Sequence, residues 1–119
     1  MQPILLCIAM EPGDLMRISF SVMGLGIRVK DVKQAEYGQT LGALCGLEPE
    51  SKHPAKARVG ERMLVMAGFD DALLDRLLKA LRDSGQTVRL KAVLTPHNRH
   101  WTCGQLYLQL SQEAAAMGR

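Results

Sequence analysis

Aromatic residues are scarce: one Trp, two Tyr and two Phe in 119 residues. The core must therefore come from Leu, Val, Ile, Ala and seven Met. A base-stacking platform of the kind that grips single-stranded nucleic acid is not expected. Cysteine is sparse and odd in number, at Cys7, Cys45 and Cys103. That argues against a disulfide framework and for a reducing compartment. No apolar run approaches the ~20 residues that span a bilayer. The run I-L-L-C-I-A-M at residues 4–10 lacks a basic flank before it, and Glu11 and Asp14 follow. It reads as a buried strand rather than a signal peptide, so the protein is expected to be cytoplasmic, with no membrane partner. Also missing are a Walker A loop, a G-x-G-x-x-G after a strand, H-E-x-x-H, C-x-x-C and G-x-S-x-G. These absences lean the reading away from an enzyme, and no catalytic residue, metal ligand set or cofactor is assigned.

What is present is a foldable chain. An apolar fraction of 47% excludes a disordered one. A net charge of +3 permits an anionic partner without demanding one.

The sequence carries a degenerate internal duplication. Residues 4–26 lie over 63–85 without a gap, bringing Leu5 onto Leu64, Leu15 onto Leu74, Arg17 onto Arg76 and Gly26 onto Gly85. With two extra residues in the second copy, Arg28, Lys30 and Val32 meet Arg89, Lys91 and Val93. One more brings Thr40, Gly42 and Leu44 onto Thr102, Gly104 and Leu106. Each copy reads β-α-β-α: residues 1–46, then a connector at 47–62, then 63–119.

The second copy is the cleaner. Residues 63–67 form a short apolar run of buried-strand type. Asp70 or Asp71 is placed to cap a helix, and Leu73, Leu74, Leu77, Leu78 and Leu81 make its stripe. Asp75 and Lys79 are spaced as an i,i+4 ion pair, and Gly85 suits the helix end. Residues 88–94 read as a strand that Pro96 ends. In the first copy Met16, Ile18, Phe20 and Val22 alternate like a strand, but Pro12, Gly24 and Gly26 favour a helix. Residues 27–32 then read as a strand and 40–45 as a short helix. The connector holds two prolines and seven formal charges, which marks it as exposed.

Two β-α-β units in one sheet predict an α/β fold: a two-layer, four-stranded mixed sheet. In the second strand of each copy apolar residues alternate with a basic pair, Arg28 and Lys30 in one, Arg89 and Lys91 in the other. This predicts one apolar face and one basic, partly open face.

Residues 95–105, T-P-H-N-R-H-W-T-C-G-Q, hold two of the three histidines and the only tryptophan. Much of this segment is architecture. Thr102 and Gln105 are spaced as a capping box, and Trp101 and Leu106 as its hydrophobic staple. Pro96 stops the strand and Asn98 suits a turn. The last helix continues with Leu106, Tyr107, Leu110, Ala114 and Met117 on one face. His97, His100 and Cys103 form H-x-x-H-x-x-C, which matches no paired zinc pattern.

The run 63–113 resembles an uncharacterised bacterial family, a domain of unknown function, through its M-L-V-M-x-G-F opening, its leucine-rich helix and a K-A-x-x-T-P-x-N-x-x-W signature. The signature falls on Lys91, Ala92, Thr95, Pro96, Asn98 and Trp101. The resemblance implies a compact α/β unit and a shared role for residues 95–101, and no activity. The first half lacks the signature.

The leading expectation is a small non-enzymatic binding or regulatory module. Its ligand would be a small anion at the start of the last helix, where the amides of Cys103 and Gly104 are free. Thr95, His97, Asn98, Arg99, His100, Lys91 and Arg89 would surround it. One alternative is a small enzyme using His97 or His100 as acid and base. Another is nucleic-acid binding through Arg28, Lys30, Arg89 and Lys91. A homodimer through the open sheet face is a further use of that surface.

Overall fold

A computed structural model describes residues 2–117. The elements run β1 (Ile4–Ile8), α1 (Pro12–Ser21), β2 (Arg28–Val32), a 3-10 turn (Gln34–Glu36), α2 (Leu41–Leu44), β3 (Met63–Ala67), α3 (Asp71–Asp83), β4 (Leu90–Val93) and α4 (Cys103–Ala116). The strand-like alternation at 16–22 loses to Pro12, which opens α1 at its first turn. Asp70 caps α3 by accepting from the Leu73 amide at 2.7 Å, and Gly85 ends it with φ +73°. On that helix Lys79 pairs forward with Asp83 at 2.6 Å, not back to Asp75. Met117, expected on the inner face of α4, lies past its end and is exposed.

The sheet is four-stranded and mixed, in the order β2-β1-β3-β4. β1 is parallel to β2 and β3 to β4, while β1 and β3 run antiparallel at the centre. Every residue of β1 and β3 is buried. Two runs of five buried positions leave neither face of the centre to water, and two apolar clusters fill the two sides. Leu5, Cys7, Leu64 and Met66 pack against Ile18 of α1, Val22 at its end, and Leu77 and Leu81 of α3. Ile4, Leu6, Ile8, Met63, Val65 and Ala67 pack against α2, against Cys103 and Leu106 of α4, and against Ala57 and Val59 of the connector. Each fully buried leucine contributes about 1.5–3 kcal/mol.

The structure therefore covers the face that edge-strand alternation predicts to be open. The arrangement is three layers deep, not two, and among the described residues neither face of the central strands is left open for a homodimer. The basic pairs also fail to share a face. Arg28 and Lys30 stand opposite Ile4 and Leu6, on the α2 and α4 side. Lys91 stands opposite Leu64, on the α1 and α3 side. Arg89 precedes β4 and is held by the Glu61 carboxylate at 2.9 and 2.6 Å. The reason is register: Ile4 pairs with Arg28 and Met63 with Leu90. The position of Arg28 is thus that of Leu90, one residue beyond the match that residue identity favours. A slip of one residue moves a side chain to the other face. A nucleic-acid surface made of all four residues does not exist in this fold.

The connector is applied to the α2 and α4 side rather than looped into solvent. Gln39 is buried, and its side chain exchanges two hydrogen bonds with the Ser51 backbone at 2.8 and 2.9 Å. A side chain on Gly38 would fall on the carbonyl of Ala55, and one on Gly104 would meet the Ala57 methyl at 2.9 Å. Glycine at both places lets the chain lie flat. Gly38→Ala is expected to lower stability by about 1–3 kcal/mol, the range of overpacked sites. Gly13, inside α1, has nothing within 4 Å of an added methyl, so Gly13→Ala is expected to add about 0.5 kcal/mol. Urea denaturation of the two variants checks both signs.

Candidate functional site

The segment 95–105 links β4 to α4, and its first half is a self-closed turn. Thr95 and Asn98 bond reciprocally: the Thr95 amide donates to Asn98 Oδ1 at 2.9 Å and the Asn98 amide to Thr95 Oγ1 at 3.2 Å. Asn98 Nδ2 donates to the Val93 carbonyl at 3.0 Å. Asn98 is buried, and both ends of its amide are used. Thr95, Pro96 and Asn98 thus form the turn itself. The capping box follows as expected, with the Thr102 amide donating to Gln105 Oε1 at 2.8 Å and the Gln105 amide to Thr102 Oγ1 at 3.2 Å. Trp101 packs on the cluster that holds Leu106.

The turn then reaches into the first half of the chain. The amides of Leu41 and Gly42, at the start of α2, donate to the carbonyls of Trp101 and Arg99, each at 2.8 Å. Thr40 and Thr102, the caps of α2 and α4, meet in an isolated antiparallel bridge. Arg99 turns toward the connector, donating from Nε to Glu48 Oε2 at 3.3 Å and from a terminal nitrogen to the Leu47 carbonyl at 3.0 Å. His100 Nδ1 lies 3.1 Å from the same Glu48 oxygen. Thr40 Oγ1 donates to the other oxygen at 2.5 Å. The Glu48 side chain is only 17% exposed. The Thr40 hydroxyl foremost, with His100 and Arg99 beside it, holds its carboxyl below the usual range against an opposing effect of burial.

The expected site residues are therefore divided. Arg99 and His100 already bind an anion, the chain's own Glu48. His97 packs edge-on against Trp101, ring centres 5.4 Å apart. Cys103 is buried in the core, and burial first, then the nearby Glu36 charge, pushes its thiol up to about 12. His97, His100 and Cys103 do not converge, and among the described residues no group of three or more His, Cys, Asp or Glu is placed to hold a metal. Lys91 bends back to the Val88 carbonyl on the other side of the sheet. Arg89 is occupied by Glu61, and this hydrogen-bonded pairing holds the Glu61 carboxyl low. Of the expected set, Cys103 and Gly104 alone stand at the start of α4.

That helix start borders a cleft of about 330 Å³, lined by Lys56, Ala57, Arg58, Thr102, Gly104, Gln105, Tyr107 and Leu108. The amides of Cys103 and Gly104 have no hydrogen-bond acceptor among the described residues. Lys56 and Arg58 have no carboxylate partner among them either. Sequence reasoning missed both cations, since a charge in a proline-bearing connector looks like any solvated charge. It missed Glu48 for the same reason.

Residues 62–117 match the family described as Domain of unknown function (DUF3783). No curated protein matches the chain, and no solved structure matches it. Among the described residues no helix is long and apolar enough to cross a membrane.

Asn98→Ala is expected to lower stability by about 2–3 kcal/mol, because the Thr95 amide and Val93 carbonyl lose their partner; chemical denaturation reads it. Glu48 adds a pH dependence. Its folded-state pKa lies below the unfolded one, so its contribution is present above the ordinary glutamate range and fades as pH falls through the folded value. Unfolding free energy measured between pH 7 and pH 3 is expected to fall less steeply in Glu48→Gln than in the wild type.

Proposed function

We propose that the chain is a small non-enzymatic binding module whose ligand is an anion with an apolar body. The ligand would lie in the cleft between the connector and the start of α4. The observation that carries this reading is a contrast between two helix starts. At α2, the first two amides are met by the carbonyls of Trp101 and Arg99. At α4, the amides of Cys103 and Gly104 meet no acceptor among the described residues, and Lys56 and Arg58, which line the same cleft, have no carboxylate partner among them. Unsatisfied amides at a helix start and a positive helix end favour a carboxylate or phosphate. Ala57, the Tyr107 ring and Leu108 supply an apolar wall for the rest of the ligand.

On this reading the expected anion site keeps Cys103 and Gly104 and takes its charges from Lys56 and Arg58 in place of Arg99, Arg89 and Lys91. The K-A-x-x-T-P-x-N-x-x-W residues act by building the turn that sets α4 in place. We also propose that the two halves descend from a duplication, that the family is bacterial and that the protein works in the cytoplasm. Ala9, the one non-glycine residue with positive φ among the described residues, supports the duplication, because it holds the position that Gly68 takes in the second half.

A thermal-shift screen against aryl and alkyl carboxylates and phosphates tests the cleft. A ligand at one hundred times its Kd stabilises the folded state by about 2.7 kcal/mol. The wild type and Arg99→Ala are expected to respond to the same compound, and Lys56→Ala/Arg58→Ala is expected not to. No response from the wild type, or an equal one from the double variant, would overturn the reading.

A further inference from the structure

Helices α1 and α3 occupy matching places: each follows a central strand and both cover the same face of the sheet. Their inner residues correspond, Ile18 and Val22 with Leu77 and Leu81. Their outer residues do not. Where α3 presents Asp75, Lys79 and Arg82 to water, α1 and the residue just past its end present Met16, Phe20 and Met23. These three are 62%, 66% and 71% exposed. Folding does not account for them, since the same fold accepts charges at the matching positions.

We propose that this stripe is the interface of a two-fold dimer, with a second copy of the chain as its occupant. The pattern is self-complementary. In an antiparallel pair of α1 helices related by a two-fold axis at Phe20, Phe20 meets Phe20 of the second copy, and Met16 of each copy meets Met23 of the other. The stripe reads methionine, phenylalanine, methionine in either direction, which an isologous contact requires. Methionine beside an aromatic ring is a favourable neighbour. Antiparallel α1 helices also set the N-terminal end of each dipole against the C-terminal end of the other. Arg17, the charged side chain beside the stripe, lies against an apolar end of the facing helix and not against its like, and Asp14 partners it within its own chain at 3.6 Å.

The area is sufficient for a modest dimer. Three large side chains, each about two-thirds exposed, present on the order of 400 Å². Two copies bury about 800 Å² from these alone, and flanking residues carry the total toward the roughly 1,200 Å² at which specific interfaces begin. An interface at the low end of that range holds weakly, so the dimer is expected to be concentration-dependent.

Sedimentation equilibrium over a hundredfold range of concentration tests this. The wild type is expected to move from one to two chains per particle. Met16→Asp/Phe20→Lys, which carries on α1 what α3 carries at the matching places, is expected to stay monomeric with an unchanged circular dichroism spectrum. In a separate readout, Phe20→Cys is expected to form a disulfide-linked dimer on mild oxidation, whereas Lys79→Cys on the charged helix is not. A wild type that remains monomeric throughout, leaving the stripe to another occupant, overturns the proposal. So does a dimer that survives in the double variant, or equal cross-linking from the two helices.

Discussion

The antiparallel pairing of β1 with β3 determines the rest of the molecule. Each half of the chain contains a parallel strand pair and a crossover helix. Joining them through β1 and β3 places the two most apolar runs, I-L-L-C-I and M-L-V-M-A, side by side at the centre. Both strands then need cover on both faces. The two crossover helices supply it on one side, and α2, α4 and the connector supply it on the other. The same pairing turns the carboxyl ends of the two parallel pairs to opposite ends of the sheet. A ligand site at the usual crevice beyond the strand ends would therefore be built from one half only.

The connector is the second consequence. The start of β3 must lie beside the end of β1, because Met63 pairs with Ile8. The chain leaving α2 has to cross the α2 and α4 layer to get there. It crosses as an extended strap, held by Gln39 at one point and seated on glycine at two others. Along the way it contributes Glu48, which gathers Thr40, Arg99 and His100. That cluster is locked between the halves, and it removes the two side chains that looked most available for a ligand. A mostly shielded carboxylate with three donors is a structural joint, since removing it would take from Thr40, Arg99 and His100 the acceptor they share.

Local features were legible in the sequence because short-range chemistry sets them. The Thr102 and Gln105 box, the Asp70 cap, the leucine stripe of α3 and the proline start of α1 each depend on residues within a turn of one another. The order of strands and helices and the mixed sheet followed from the same signals. What was not legible depended on register and on distant contacts. Aligning Arg28 with Arg89 looked natural because the residues are identical, yet the sheet pairs Arg28 and Leu90 with corresponding partners. One residue of error placed a basic pair on the wrong side and created an open face that the chain does not have. Likewise, nothing near Glu48 in the sequence announces a bond to Arg99, fifty-one residues away.

The differences between the halves are more informative than their likeness. Two equivalent helices on one face of one sheet share an inner pattern, and α3 shows what an outer surface looks like when water is its only neighbour. Against that internal control, the apolar outside of α1 marks a contact. Two equivalent helix starts, at Thr40 and Thr102, share a cap and a glycine. The first is sealed by the carbonyls of the 95–101 turn, and the second opens on the connector cleft. Residues that both halves need for folding sit where the halves agree. A position that departs from its counterpart without any packing reason is where selection for something other than the fold has room to act. By that argument the helix start in the second half and the outer helix face in the first half are separate features. They lie on opposite sides of the sheet, so occupying one leaves the other free.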